Sequence, residues 1–105
     1  MSTSEFEPSS EILVRRRWIK PERVEWALEA DAILRSGSAV NGTDVYEQRW
    51  QARNRARKLI SLLVDLELYE RWELKEHTNP VPPSRGKGYQ WAVEYVGTGA
   101  INGRR

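Results

Sequence analysis

Residues 49–58 read Arg-Trp-Gln-Ala-Arg-Asn-Arg-Ala-Arg-Lys, five cations in ten positions with no acid among them. On a helix, Arg49, Arg53 and Arg57 lie within about 80° of one another, and Tyr46 and Trp50 fall on the same flank. Such a stripe can pair with phosphates through its guanidinium groups and offer rings on which bases stack. Arg55 and Lys58 point elsewhere around the helix and widen the positive field. The competing reading is a solvated flank, with Arg stems lying over Tyr46 and Trp50.

Two further basic segments could join that stripe. Arg15-Arg16-Arg17-Trp18 has the makeup of a basic arm that tracks a backbone or enters a minor groove. Arg85-Gly86-Lys87-Gly88 would set two cations at the tip of a loop, where a wing meets DNA. The overlapping run Pro80-Val81-Pro82-Pro83-Ser84-Arg85 also fits a polyproline ligand, but no other signal of that kind accompanies it.

Catalytic chemistry has little to draw on. There is no cysteine, which excludes thiolate metal sites, iron–sulfur clusters and thiol nucleophiles, and His77 is the one histidine. Its neighbour Glu76 would point to the opposite face of a strand, so adjacency makes no acid–base pair. Glu67, Glu70, Glu73 and Glu76 lack imidazole support for a metal, and no glycine-rich phosphate loop occurs. The expectation is a non-enzymatic protein with no catalytic residue, metal or cofactor.

The 105 residues suffice for one domain. A net charge of +2 conceals strong segregation: residues 12–20 carry four bases and no acid, and residues 67–77 carry four acids against two bases. Five Trp and four Tyr beside one Phe mean that nearly every aromatic has a polar handle, as suits partly wet or partner-facing surfaces. Residues 59–64, Leu-Ile-Ser-Leu-Leu-Val, form the longest apolar run, far below the ~20 residues that span a bilayer. With an acidic, polar start (Met-Ser-Thr-Ser-Glu-Phe-Glu-Pro), a cytoplasmic protein without membrane contact is expected.

The elements that must position these residues follow from periodicity. Residues 1–10 read as a disordered tail, 11–97 as a single globular domain and 98–105 as a flexible end. Val45, Ala52, Ala56, Leu59, Ile60, Leu63 and Leu66 share one helical face, predicting a long amphipathic helix over about 45–66, with Asp44 and Glu47 spaced as a capping pair. Residues 22–35 are ambiguous. Ala, Leu and Glu between Pro21 and Gly37 spell a helix, whereas Trp26, Leu28, Ala30, Ala32 and Leu34 alternate as in a strand. The echo between residues 25–29 (Glu-Trp-Ala-Leu-Glu) and 90–94 (Gln-Trp-Ala-Val-Glu) tips the reading toward strand. A C-terminal hairpin is expected from 68–77 and 89–96, joined by a loop with three prolines.

Residues 52–69, Ala-Arg-Asn-Arg-Ala-Arg-Lys-Leu-Ile-Ser-Leu-Leu-Val-Asp-Leu-Glu-Leu-Tyr, followed by a hairpin, resemble the recognition helix and wing of winged helix-turn-helix regulators. The resemblance implies that Arg53, Arg55, Arg57 and Lys58 face DNA and that Arg85 and Lys87 sit in the wing. Two departures stand against it: no second helix is evident between Ser36 and Asp44, and Glu67 occupies the usual glycine of the turn. Residues 46–97 are also similar to small accessory proteins of actinobacteriophages, through 69–77 (Tyr-Glu-Arg-Trp-Glu-Leu-Lys-Glu-His) and 90–96 (Gln-Trp-Ala-Val-Glu-Tyr-Val). That similarity implies a phage protein in host cytoplasm.

The expected fold is therefore α+β, one long helix packed on an antiparallel sheet, with the winged helix as alternative. The expected function is nucleic-acid binding, DNA in the first instance, through Tyr46, Arg49, Trp50, Arg53, Arg55, Arg57 and Lys58, aided by Arg15, Arg16, Arg17, Arg85 and Lys87. The alternative is an accessory protein that modulates a host protein through an aromatic-rich surface. Either is compatible with a homodimer.

Overall fold

Pro21 at the first helical position and Gly37 just beyond the last turn bracket a helix, and that is what residues 21–35 form in the computed structural model, which describes residues 12–14 and 17–97. The expected tails, 1–10 and 98–105, lie outside the described residues, as do Arg15 and Arg16. In chain order the elements are β1 (Ile12–Val14), β2 (Arg17–Ile19), α1 (Pro21–Arg35), β3 (Val40–Asn41), α2 (Arg49–Asp65), β4 (Leu74–Pro80) and β5 (Tyr89–Tyr95). Among the described residues the fold is α+β with two α-helices, not one.

The strand reading of 22–35 is thus overturned, and the reason lies in which residues are buried. Ala27, Ala30 and Leu34 face the core at helical spacing, whereas Leu28 and Ala32, which alternation places on one face with Trp26 and Leu34, are exposed, and Ala27, which it places on the other, is buried. Gly37 adopts φ +93 and allows a closing turn in which the Gly37 N–H donates to Leu34 O and the Ser38 N–H to Ile33 O. Small alanines supplied the contact face, so the large apolar residues gave a misleading period.

α2 also departs from its expected bounds. Asp44 does not cap it. Tyr46 pairs instead with Tyr89, its N–H donating to Tyr89 O at 2.8 Å and its carbonyl accepting from Tyr89 N–H at 2.7 Å, which holds the approach extended. The helix starts after Gln48, whose N–H donates to the Gln51 side chain. At its far end Glu67 takes φ +62, filling the glycine role, and the Leu68 N–H donates to Leu63 O. That turn and a single 3-10 turn at Arg71–Glu73 delay the next strand to Leu74, so the expected strand 68–77 is corrected to 74–80. Trp72, expected on a strand face with Leu68 and Leu74, is thrown outward and is 65% exposed.

The sheet order is β3-β5-β4, antiparallel throughout, with Val40 opposite Val93, Leu74 opposite Tyr95 and Pro80 opposite Tyr89. β5 lies where its alternation predicts: Tyr89, Trp91, Val93 and Tyr95 turn toward the core beneath the two helices. Ala52, Ala56, Leu59 and Leu63 of α2 are fully buried against that face, as are Ala27 and Leu34 of α1. Truncating Leu59 or Leu63 to Ala would cost about 2–5 kcal/mol. β1 and β2 form a separate ribbon in which exposed Leu13 stands opposite exposed Trp18, while Ile19 anchors it to the core.

Trp91 packs directly on Gly42, where any side chain would clash with the indole. Gly42→Ala is expected to lower stability by about 1–3 kcal/mol through overpacking, read as a lower urea midpoint; an unchanged midpoint would show that the indole is not seated there.

Candidate functional site

Burial of one stripe of α2 decides which of its cations remain available. Arg49 is engaged within the fold: its Nη1 donates to the Thr78 carbonyl at 3.0 Å and to Thr78 Oγ1 at 3.1 Å, and its guanidinium stacks 4.7 Å over the Tyr89 ring. Tyr46, expected beside it as a stacking ring, is half-buried against the core. Arg57 reaches both carboxylate oxygens of Glu76 on β4 at 3.1 Å, and Arg53 approaches the same carboxylate at 3.9 Å. The expected flank of Arg49, Arg53 and Arg57 therefore leans over β4, and one acid partly neutralises two of its members.

A second grouping was not evident in the sequence. The outermost face of α2 carries Trp50 (59% exposed), Asn54, Arg57 and Lys58. Between this face and the start of α1 lies an open hollow of about 590 Å³ lined by Arg23, Asn54, Arg57, Lys58, Ser61 and Leu62. Among the described residues this lining holds three cations, one amide and one hydroxyl, and no carboxylate. Lys58 makes no hydrogen bond or ion pair among the described residues, so its ammonium is free to meet an anion. Arg23 reaches the site because residues 21–35 are helical, and the strand reading hid it.

Arg55 sits apart from both groups. It lines a hollow of about 260 Å³ with Trp26, Tyr46, Trp91, Val40, Asp44 and the turn at Asn41, Gly42 and Thr43. Trp26 is linked to the first hollow, since the Arg23 guanidinium lies 5.7 Å from its ring centroid. On the other side of the same turn, Arg85 lines a third hollow with Asn41, Gly42, Thr43, Asn79, Gln90 and Trp91. Arg85 belongs to a short turn, Pro83–Arg85, in the β4–β5 connection, and Lys87 is exposed in that same connection. Arg17 pairs through its backbone with Val14 in the separate ribbon.

The charge layout of α2 works against the helix itself. It has no acid in its first turn and no base in its last, the reverse of what the helix dipole favours. Arg49, Arg53 and Arg57 are also like charges at i, i+4 spacing, each pair unfavourable by about 0.2–0.5 kcal/mol. Glu76 offsets part of this repulsion.

Among the described residues no group of His, Asp and Glu could hold a metal ion, and no helix is long and apolar enough to cross a membrane. Comparisons with protein-family models, curated proteins and solved structures find no match.

Glu76→Gln removes the carboxylate but keeps its shape. Because Arg53 and Arg57 are 45% and 58% exposed, the loss of stability should stay below about 1 kcal/mol. A larger loss on chemical denaturation would mean that the pairing holds α2 on the sheet.

Proposed function

We propose that this protein binds nucleic acid without catalysis, through the exposed face of α2 and the cationic hollow beside α1. The observation that carries this reading is the meeting of Arg23, Arg57 and Lys58 around one hollow with Asn54 and Ser61 and no described acid. Guanidinium and ammonium groups neutralise phosphates, while an amide and a hydroxyl add hydrogen bonds without charge. Exposed Trp50 extends the surface with a ring that can stack on a base. A helix whose cations repel one another and oppose its own dipole gains stability when a polyanion binds.

In this reading α2 and the β4–β5 hairpin act as recognition helix and wing, and the sheet order β3-β5-β4 with α1 and α2 on one face supports it. Residues 42–48 contain no helix, so the arrangement would be a reduced one. DNA is the ligand to assay first, in both duplex and single-stranded form.

Affinity should fall steeply with salt, because each phosphate contact releases counterions. Lys58→Glu should weaken binding at least tenfold at about 50 mM salt and flatten the slope of log K against log salt by about 1 or more. Glu76→Gln should strengthen binding by freeing Arg53 and Arg57. Fluorescence-anisotropy titrations would decide, and absence of binding to both duplex and single strand at that salt sinks the proposal.

A protein-binding role, as for a phage accessory protein acting on a host protein, draws support from a different observation. Trp18 and Trp72, 64% and 65% exposed, lie outside α2 and its hollow. Large exposed rings of this kind serve as interface anchors. A discrete partner retained from nuclease-treated host lysate, and lost on Trp72→Ala, would favour this second reading.

A further inference from the structure

The hollows on either side of the Asn41–Gly42–Thr43 turn share Trp91 as a common wall, and each has an arginine at its rim, Arg55 on one side and Arg85 on the other. Resting on the nucleic-acid reading above, we infer that this region is a stacking site for an unstacked nucleobase, with the adjoining phosphates held by Arg55 and Arg85.

Three features support a flat, anionic ligand there. First, Trp26, Tyr46 and Trp91 line the same hollow, so three ring systems border a space of about 260 Å³, several times the ~30 Å³ share of one water. A base can lay its π-face on half-buried Trp26 or Tyr46 whatever its identity, over the small exposed part of Trp91. Secondly, Arg55 has no hydrogen bond or ion pair among the described residues, although Asp44 lines the same hollow. Its guanidinium is available to a phosphate, while Asp44 repels phosphate from its own side and offers an acceptor to an N–H of the base. Thirdly, the turn between the two hollows is fixed in place by Gly42, on which Trp91 rests, and by Gln90, whose Nε2 donates to the Thr43 carbonyl at 3.1 Å.

The hollow is also continuous in composition with the first one. Arg23 borders the cationic hollow and stacks on Trp26, which borders the aromatic one. A strand whose phosphates follow Lys58, Arg23, Arg55 and Arg85 would pass Trp26 and Trp91 on the way. A duplex keeps its bases paired and cannot offer one to those rings. The site therefore selects single strands, or the free end of one, over blunt duplex. A free nucleotide presents the same chemistry from another source.

The five tryptophan indole N–H resonances of the whole chain separate these cases, once each is assigned by a Trp→Phe variant. Oligothymidylate should shift the Trp26 and Trp91 signals together with Trp50, whereas blunt duplex should shift Trp50 alone. Arg55→Gln, at an exposed position, should weaken single-strand binding about tenfold and duplex binding distinctly less, and equal losses for the two would refute the selectivity. Trp26→Leu should reproduce the single-strand loss with the fold verified by circular dichroism.

If single strand shifts Trp50 while Trp26 and Trp91 stay still, the stacking site is refuted and nucleic-acid binding stands. If adenosine monophosphate shifts Trp26 and Trp91 but no strand does, the site takes nucleotides and nucleic-acid binding fails. No shift with any of the three ligands at low salt overturns both.

Discussion

Ala52, Ala56, Leu59 and Leu63 have no exposed surface, and that single stripe fixes how α2 is rotated about its axis above β5. Where the cations of α2 lie follows from that rotation. Residues about half a turn away, among them Asn54 and Lys58, are forced into solvent, Arg49 and Arg53 are forced over β4, and Arg57 lies between the two sets. Because two of the buried residues are alanine, the helix sits close to the sheet, and Arg49 can reach the backbone of Thr78. Larger residues there would lift α2 and separate that contact.

How much of this the sequence disclosed depended on whether a local pattern was also a burial pattern. The apolar stripe of α2 and the alternation of β5 were legible because large side chains, Leu59, Ile60 and Leu63 in one and Trp91 and Val93 in the other, stand on the buried face and few large apolar residues stand off it. α1 was not, since its buried face is carried by Ala27 and Ala30 with Leu34 while Leu28 and Ile33 stay exposed. Pro21 and Gly37 gave the better signal, being conformational demands and not preferences. Misreading α1 hid Arg23, and with it the hollow that gathers three cations.

The cationic helix itself was legible residue by residue, but its neutralisation was not. Glu76 is 19 positions from Arg57 in the chain and meets it only because β4 runs beneath α2. Nothing in the spacing of the four glutamates between 67 and 76 distinguishes Glu76 from the others. Register does: opposite Val93, Glu76 lies on the side of the sheet that the helices cover. The same logic explains Trp72, which one 3-10 turn moved from an expected strand face to the surface.

Arg57 borders the hollow beside α1 and also, with Ile60, Arg71 and Lys75, the one beside β4, where Glu76 sits. An anion arriving on the α1 side must draw this guanidinium away from a carboxylate already fixed in place. Glu76 thus behaves like salt concentrated at one point of the surface and absent elsewhere. It discounts the attraction of any weak or diffuse polyanion, and the discount shrinks as dissolved salt screens the pair. Under the proposed function, a ligand that also meets Lys58, Arg23 and Asn54 would offset that discount more readily than one that meets Arg57 alone.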